Sequence, residues 1–317
     1  MTKMPTFILK FLRRVISLMV KFIPNGKFVD FLIWPISKRL FGHGYVETMQ
    51  IDSNLKINVY GDMEDMVNKS LLFMSGYKKL AWEPVTARLV KSLAPEIKIA
   101  VVAGSHLGYY PLIIGANNSK AVVYAFEPNP SNYSRFLKNV FLNKLSNIQP
   151  NSSALGDKIG KETMYFDSGQ SSFLESHREH SGEGEVFIDT IDNFFNDKLE
   201  KPDLMIFDAE GYEHNIIKGG DSLINRFKPD IIFEINPKII KIDGSDQRNL
   251  FDLLTVKKYS LFIIKDNYKH HLNDRVETKV KLVPFDILSM EDMPFVNVIA
   301  TVNIDRIKKY SENKHEN

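Results

Sequence analysis

Pro202-Asp203-Leu204-Met205-Ile206-Phe207-Asp208-Ala209-Glu210-Gly211-Tyr212-Glu213 is a short apolar run that ends in three acids and a glycine. Leu204 to Phe207 reads as a buried strand, with Asp208, Glu210 and Glu213 standing where it stops. Carboxylates gathered at such a point lose hydration and repel one another, so packing alone seldom calls for them. The following His214-Asn215-Ile216-Ile217-Lys218-Gly219 has helical spacing and a glycine stop. The acids therefore belong to a strand-to-helix turn, on the edge of an open α/β sheet where ligands bind. A plainer reading makes them acids that suit the dipole of a helix N-terminus.

The same rhythm extends in both directions. A continuous apolar strand is expected over 97–103, a glycine turn at Gly104 and Gly108, and a helix from Tyr109. Further strands are expected over 121–126, 148–155, 204–207, 230–235, 259–264 and 295–302, with helices over 82–93, 131–143, 213–226 and 247–257. A hairpin-like piece over 163–166 and an edge element over 186–191 complete the pattern. The last two strands have no helix between them, so they should pair antiparallel. Residues 45–68 alternate as a small antiparallel hairpin ahead of the core, and the polar, glycine-rich 169–184 reads as a loop over the strand ends. Alternation over some 200 residues implies a doubly wound, mostly parallel sheet. The division expected is a basic helical extension over 1–44, a hairpin and helix over 45–95, an α/β domain over 96–303 and a charged, fraying tail over 304–317.

Gly104-Ser105-His106-Leu107-Gly108 supplies a turn at which backbone can approach a ligand and a helix can point its N-terminus at it. It lacks the middle glycine of a dinucleotide fingerprint, which disfavours a nicotinamide-dependent oxidoreductase. Glu127, ending the second strand twenty-three residues after Gly104, is placed to accept the hydroxyl hydrogens of a ribose.

Together these stretches resemble the FkbM family of S-adenosylmethionine-dependent methyltransferases over roughly residues 80–302. The resemblance is carried by Trp82-Glu83-Pro84, Gly104 to Tyr110, Ala125 to Pro130, Asn139 with Asn143, and Ala154-Leu155-Gly156-Asp157. It continues through Ser171-Ser172, Thr190-Ile191-Asp192, Pro202 to Gly219 and Pro229 to Ile235. It implies a seven-stranded class I methyltransferase fold, Rossmann-like in outline, with S-adenosylmethionine as cofactor. It also implies methyl transfer to a hydroxyl of a sugar, glycan or glycosylated metabolite. Cofactor contacts are then expected from Gly104, His106, Gly108, Tyr109, Glu127, Pro128, Asn129, Ala154 and Leu155. Asp208 and Glu210 are the expected catalytic pair, Asp208 as base or as ligand of the donor's amine. Glu213, Glu234, Ser171 and Ser172 are expected toward the substrate. Glu213 can equally cap its helix, and Glu234 can equally bond a neighbouring loop.

Three positions depart from the family pattern. Val102 stands for an Asp, His106 for an Asn and Ile206 for a Lys. His106 either replaces the lost polar contact or merely fills the turn. The losses support a rival reading, a degenerate methyltransferase fold that binds a partner or glycan without catalysis.

Composition narrows the classes further. The chain has 317 residues, 44% hydrophobic and 25% charged, enough for one large core. With no cysteine, thiolate nucleophiles, disulfides and iron–sulfur clusters are excluded. His177 and His180, three apart in the polar loop, lack the further ligands a metal needs. Asp208, Glu210 and Glu234 offer the oxygens that suit magnesium, but nothing in the sequence demands an ion, and none is expected.

A net charge of +2 hides an uneven distribution. Residues 1–40 hold eight basic side chains against the single acid Asp30, leaving 33 bases against 38 acids beyond them. Phe7 to Ile23 is apolar but interrupted by Lys10, Arg13, Arg14 and Lys21, so it is too broken to span a bilayer. Lys10, Arg14, Ser17 and Lys21 line up on one helical face, with Phe7, Phe11, Leu12, Val15, Leu18, Met19 and Phe22 covering the rest. This suits a helix lying on an anionic membrane surface, and equally a helix packed on the body. The expected location is cytoplasmic, with peripheral membrane contact through residues 5–41. The expected partner is a small-molecule or glycan acceptor, with no nucleic acid.

Overall fold

The computed structural model describes residues 43–50, 55–62, 82–166, 171–173, 182–235, 248–265, 280–285 and 295–312, with Ile8, Phe11, Leu12, Val15 and Pro35 in isolation. Almost all of the proposed N-terminal membrane helix, and His177 and His180, lie outside the described residues. Among the described residues no helix is long and apolar enough to cross a membrane.

The core begins with β3 (Ile99–Ala103), whose five residues are all buried, as a strand covered on both faces requires. Parallel neighbours flank it: β4 (Val122–Phe126) and then β5 (Ile148–Asn151) on one side, β9 (Leu204–Phe207) and then β10 (Asp230–Ile235) on the other. Antiparallel strands complete the sheet beyond β10, namely β13 (Val296–Thr301), β11 (Ser260–Ile264) and the short β12 (Leu282–Pro284). The order is β12-β11-β13-β10-β9-β3-β4-β5. The antiparallel pairing of the last two long strands is as expected. β12 adds an eighth strand to the seven, too short to show its own alternation.

Side chains of even-numbered residues on the central strands, such as Ala100, Val102, Leu204, Ile206 and Ile232, join one apolar cluster. That cluster also holds Val85 and Leu89 of α1 (Pro84–Leu93), Leu112 and Ile113 of α2 (Tyr109–Asn117), and Phe136 of α3 (Pro130–Asn143). Odd-numbered residues, such as Val101, Ala103, Met205, Phe207 and Phe233, join a second cluster. This one takes in α4 (Ile191–Phe194), α5 (Glu213–Gly219), α6 (Asp221–Phe227) and α7 (Arg248–Val256). Each fully buried Leu, Ile or Phe contributes about 1.5–3 kcal/mol. Two such layers hold the sheet against the unfavourable burial of polar groups at its edges.

Several expectations are corrected in detail. The single helix over 213–226 is two, α5 and α6, divided at Gly219-Gly220. A Cβ on Gly219 would stand 1.8 Å from the Gly156 carbonyl oxygen, so this turn runs too close to the backbone of another segment for any side chain. The strand over 148–155 also divides. After β5, Ala154–Leu155 forms β6, which leaves the main sheet to pair with β8 (Gly182–Asp189). β8 pairs antiparallel with β7 (Gly160–Phe166), so the expected hairpin piece and edge element form one small three-stranded sheet. Residues 182–184 of the proposed loop belong to that sheet. The hairpin ahead of the core is present as β1 (His43–Gln50) and β2 (Lys56–Asp62).

The charged tail is ordered over its first part, contrary to expectation. Ile304–Glu312 forms α8, with Ile307 fully buried in the core. Arg306, Lys309 and Tyr310 of α8 all reach the Glu96 carboxylate. Periodicity of the charges hid one apolar anchor.

Candidate active site

Strand register builds the site. Ala103 lies opposite Phe126 on one side and Phe207 on the other, and Phe207 lies opposite Phe233. The next residue of each strand therefore stands at one level, giving the row Glu127, Gly104, Asp208, Glu234, the last still within β10. Across the antiparallel pair, Asn297 of β13 continues it opposite Glu234. Adjacent strands stand about 4.8 Å apart, so neighbouring acids in this row come within reach of one another.

The turn after β3 is held by its own backbone. Gly104 and Ser105 N–H groups both donate to the Phe126 carbonyl, at 3.1 and 3.0 Å, and Gly108 N–H donates to Ser105 O at 2.7 Å. Gly104, His106 and Gly108 have φ values of 74°, 51° and 93°. A Cβ on Gly104 would stand 1.6 Å from the Asp208 carbonyl oxygen, so the two strand ends touch there. His106 occupies a left-handed position that costs an ordinary residue energy. Its N–H donates to Glu127 Oε2 at 2.6 Å. Its imidazole also draws down the pKa of both Glu127 and Asp208, which places it between the two acids.

Glu127 is buried, and burial pushes its pKa up. Besides His106, its carboxylate accepts from Asn129 N–H at 3.0 Å and from the Asn132 side chain at 3.5 Å. A carboxylate offers about four lone-pair positions, so a hydroxyl donor still has one to use. Asn129 caps α3 with its Oδ1, accepting from Ser131 N–H at 2.9 Å, while its amide donates to Ser171 Oγ at 2.8 Å. Ser172 pairs with Tyr165 through the backbone and donates its hydroxyl to Glu210 O at 3.1 Å. Ser171 and Ser172 thus tie the Glu127 side of the site to the turn after β9. Pro128 is partly exposed beside them.

That second turn carries the remaining acids. Glu210 and Gly211 both have positive φ, 50° and 100°. Glu213, 2% exposed, turns its Oε1 back to accept from Ala209 N–H at 2.7 Å and Gly211 N–H at 3.4 Å. These bonds close the turn that precedes α5. Burial raises the Glu213 pKa to about 7.

Asp208, Glu210 and Glu234 each bring one oxygen within 4.8 Å of the others. Burial raises Asp208 to about 6, while His106 and a hydrogen bond with Glu234 pull it back. Glu234 is raised well above the usual carboxyl range by burial, and then by the charges of Asp208, Glu83, Glu210 and Glu213.

Three expected cofactor contacts are placed differently. Tyr109 is a core residue, 5% exposed, and its hydroxyl donates to Trp82 O at 2.6 Å. Ala154 and Leu155 are 5% and 2% exposed in β6, so only their backbone is available to a ligand. Residues passed over in the sequence stand at the site instead. Glu83, just before α1, is buried, accepts from the Tyr110 hydroxyl and faces Glu234. Asn297 interrupts the apolar run of its strand, and that interruption is the signal that could have found it.

Comparison with known proteins identifies the family of the chain. The model of the methyltransferase FkbM domain matches residues 103–261, half of the chain. A hexuronic acid methyltransferase, AglP, of Haloferax volcanii is 27% identical over 197 residues, covering 60% of this chain and 75% of that protein. Methyltransferase 1 of Beauveria bassiana is 23% identical over 149 residues, covering 40% of this chain and 60% of its own length. Among solved structures, the FkbM methyltransferase of Methylobacillus flagellatus is similar at a TM-score of 0.41 and 15% identity, over 64% of this chain and 43% of that one.

Proposed function

Since the chain belongs to the FkbM methyltransferase family, we propose that it transfers a methyl group from S-adenosylmethionine to a hydroxyl of a sugar, glycan or glycosylated metabolite. The observation that carries this reading is the register that lines up Glu127, the Gly104 turn and Asp208 on one sheet edge. The donor suits this edge chemically. A ribose hydroxyl matches the lone pair left on Glu127, and the donor's ammonium and sulfonium charges match the carboxylates of Glu210 and Glu83. The left-handed turn from Gly104 to Gly108 lets the backbone lie close beneath it. When bound, the donor supplies a methyl on a positively charged sulfur, which keeps the bond's electron pair as the acceptor oxygen takes the methyl.

Asp208 is the residue that removes the acceptor's hydroxyl proton. A pKa of about 6 leaves it ionised at neutral pH yet basic enough to hold a proton, the compromise a general base needs. Glu213 and the tie from Ser172 to Glu210 O keep the turn in place behind it. The sugar acceptor is supported by the hexuronic acid specificity in the name of the Haloferax relative.

The rival reading, binding without catalysis, rests on Val102 and Ile206. These two lie directly opposite each other on β3 and β9 and are each 1% exposed. An acid and a lysine at this pair of positions would face each other across the strands. Replacing a buried ion pair by well-packed apolar residues is often neutral or stabilising. These two departures are therefore one compensated change inside the sheet, and the third, His106, keeps a polar group in the turn.

Isothermal titration with S-adenosylmethionine tests the donor, and mass spectrometry of a methylated sugar acceptor tests the transfer. Glu127→Gln should weaken donor binding by about tenfold, the worth of one charged hydrogen bond. Asp208→Asn should lower kcat by about 10²–10⁴ with donor binding retained. No heat on titrating the native chain would overturn the reading.

A further inference from the structure

We propose that Glu234 is a positioning residue for the reaction, a neutral carboxyl that shares its proton with Asp208 and keeps Asp208 the ionised member of the pair. The proposal rests on the methyl-transfer reading and goes beyond it by assigning the proton at a second residue. Register places the two side by side: Phe207 opposes Phe233 across parallel strands, so Asp208 and Glu234 stand next to each other one residue on. Alternation along the strands puts both on the face occupied by Ile206 and Ile232, the side covered by α1 and α2. Their oxygens come within 4.8 Å of each other. Two ionised carboxylates this close and largely shielded from water repel each other, so the pair keeps one proton between them.

The surroundings decide which carboxyl carries it. Glu234 faces Glu83 from the segment before α1, and Glu210 and Glu213 from the turn after β9, as well as Asp208 itself. Among the described residues, those that act most on Glu234 include no positive group, and Asn297, its cross-strand partner, is neutral. Asp208, by contrast, is influenced by His106 from the turn after β3. His106 thus favours ionisation of Asp208, and four acids disfavour ionisation of Glu234. Like charges this close separate into one protonated and one ionised group, and the pair titrates as a unit.

In turnover the acceptor's hydroxyl proton passes to Asp208 while Glu234 keeps its own. Both carboxyls are then neutral, and the pair returns one proton to water before the next cycle. With Glu234 neutral, its O–H stabilises the Asp208 carboxylate and holds its orientation. This is why Asp208 stays usable as a base in a buried, acid-rich place.

The test compares Glu234→Gln with Glu234→Leu in the full chain. Glutamine keeps a neutral donor beside Asp208, so the acidic limb of the kcat profile should stay in place and kcat should fall less than tenfold. Leucine removes the donor, so that limb should move to higher pH by about one unit, the size of one hydrogen bond to a charge, with KM little changed. Equal, pH-independent losses in both variants would mean mere packing and overturn the proposal. So would a loss in Glu234→Gln as large as in Asp208→Asn, which would make Glu234 itself the base.

Infrared difference spectroscopy gives an answer without turnover. The native chain should show a protonated carboxyl at neutral pH that disappears in Glu234→Gln, and its absence in the native chain would overturn the proposal. Failure to bind donor or to methylate would leave that infrared signal intact. The two readings thus fail separately.

Discussion

The two ends of the central strands both carry acids, yet they treat them differently. At the end where the strands begin, Asp203 accepts from Lys98 N–H at 2.7 Å and Ile99 N–H at 3.0 Å. Its neighbour Asp230, 4% exposed, accepts from the Thr301 hydroxyl at 2.6 Å and Arg306 at 2.7 Å. Each acid there has donors of its own. Where the strands finish, Asp208, Glu210 and Glu83 crowd about Glu234 and raise its pKa, with His106 acting on Asp208. Acids concentrated so that their charges perturb one another mark a reactive place. The first end fastens the sheet, and the second holds reactive groups at a cost in stability.

Two substitutions would break that contrast if it were wrong. The larger effect is expected at the fastening end. Arg306→Ala leaves Asp230 buried with only Thr301 and also removes a contact to Glu96. Breaking a buried pair on one side costs about 3–5 kcal/mol, and partial exposure of Arg306 puts the expected loss near the lower figure. Urea denaturation at neutral pH measures it.

At the reactive end the sign should reverse. A rise in the Asp208 pKa from 3.8 to about 6 means that the folded chain holds this proton more tightly than the unfolded one. Its contribution to stability is fully present below pH about 4 and is lost as pH rises through about 6. Full ionisation corresponds to about 3 kcal/mol, reduced by the water that reaches this partly exposed group. Asp208→Asn should therefore stabilise the fold by about 2 kcal/mol at pH 8 and flatten the fall in Tm between pH 4 and 6, while abolishing most activity. A destabilised Asn variant would place Asp208 with the fastening acids.

Much of this contrast was legible in the sequence, for an identifiable reason. The apolar runs Leu204 to Phe207 and Ile231 to Phe233 mark the interiors of their strands, because burial on both faces leaves no polar residue within them. The acids at their finishing ends, Asp208 and Glu234, follow directly. Glu83 was legible only as part of a recurring Trp82-Glu83-Pro84 stretch, since nothing local reveals that a residue ahead of α1 faces a strand end more than a hundred residues later. The same limit hid β12, the departure of β6 from the main sheet, and the donors of Asp230. Each depends on a partner distant in sequence. Val102 and Ile206 show the limit most clearly, for read singly they are two losses, and only register makes them one exchange.

The smallest expected effect sharpens what counts as fastening. Glu96 receives Lys309, Tyr310 and Arg306 from α8, and these hydrogen bonds, that of Lys309 foremost, hold its pKa near about 2. With the pKa lowered on folding, its contribution is present above the usual carboxyl value and is lost as pH falls toward 2. Its side chain is 39% exposed, so water and salt screen the contact. Glu96→Gln should therefore cost less than about 1 kcal/mol at pH 7, and less again in high salt. Hydrogen exchange should nonetheless show faster opening of α8, because Ile307 and the Arg306–Asp230 pair then remain as its main ties to the core. A loss comparable to that of Arg306→Ala would mean that three exposed donors on one acid outweigh a single buried pair. The distinction between the two ends would then rest on the number of donors, with burial secondary.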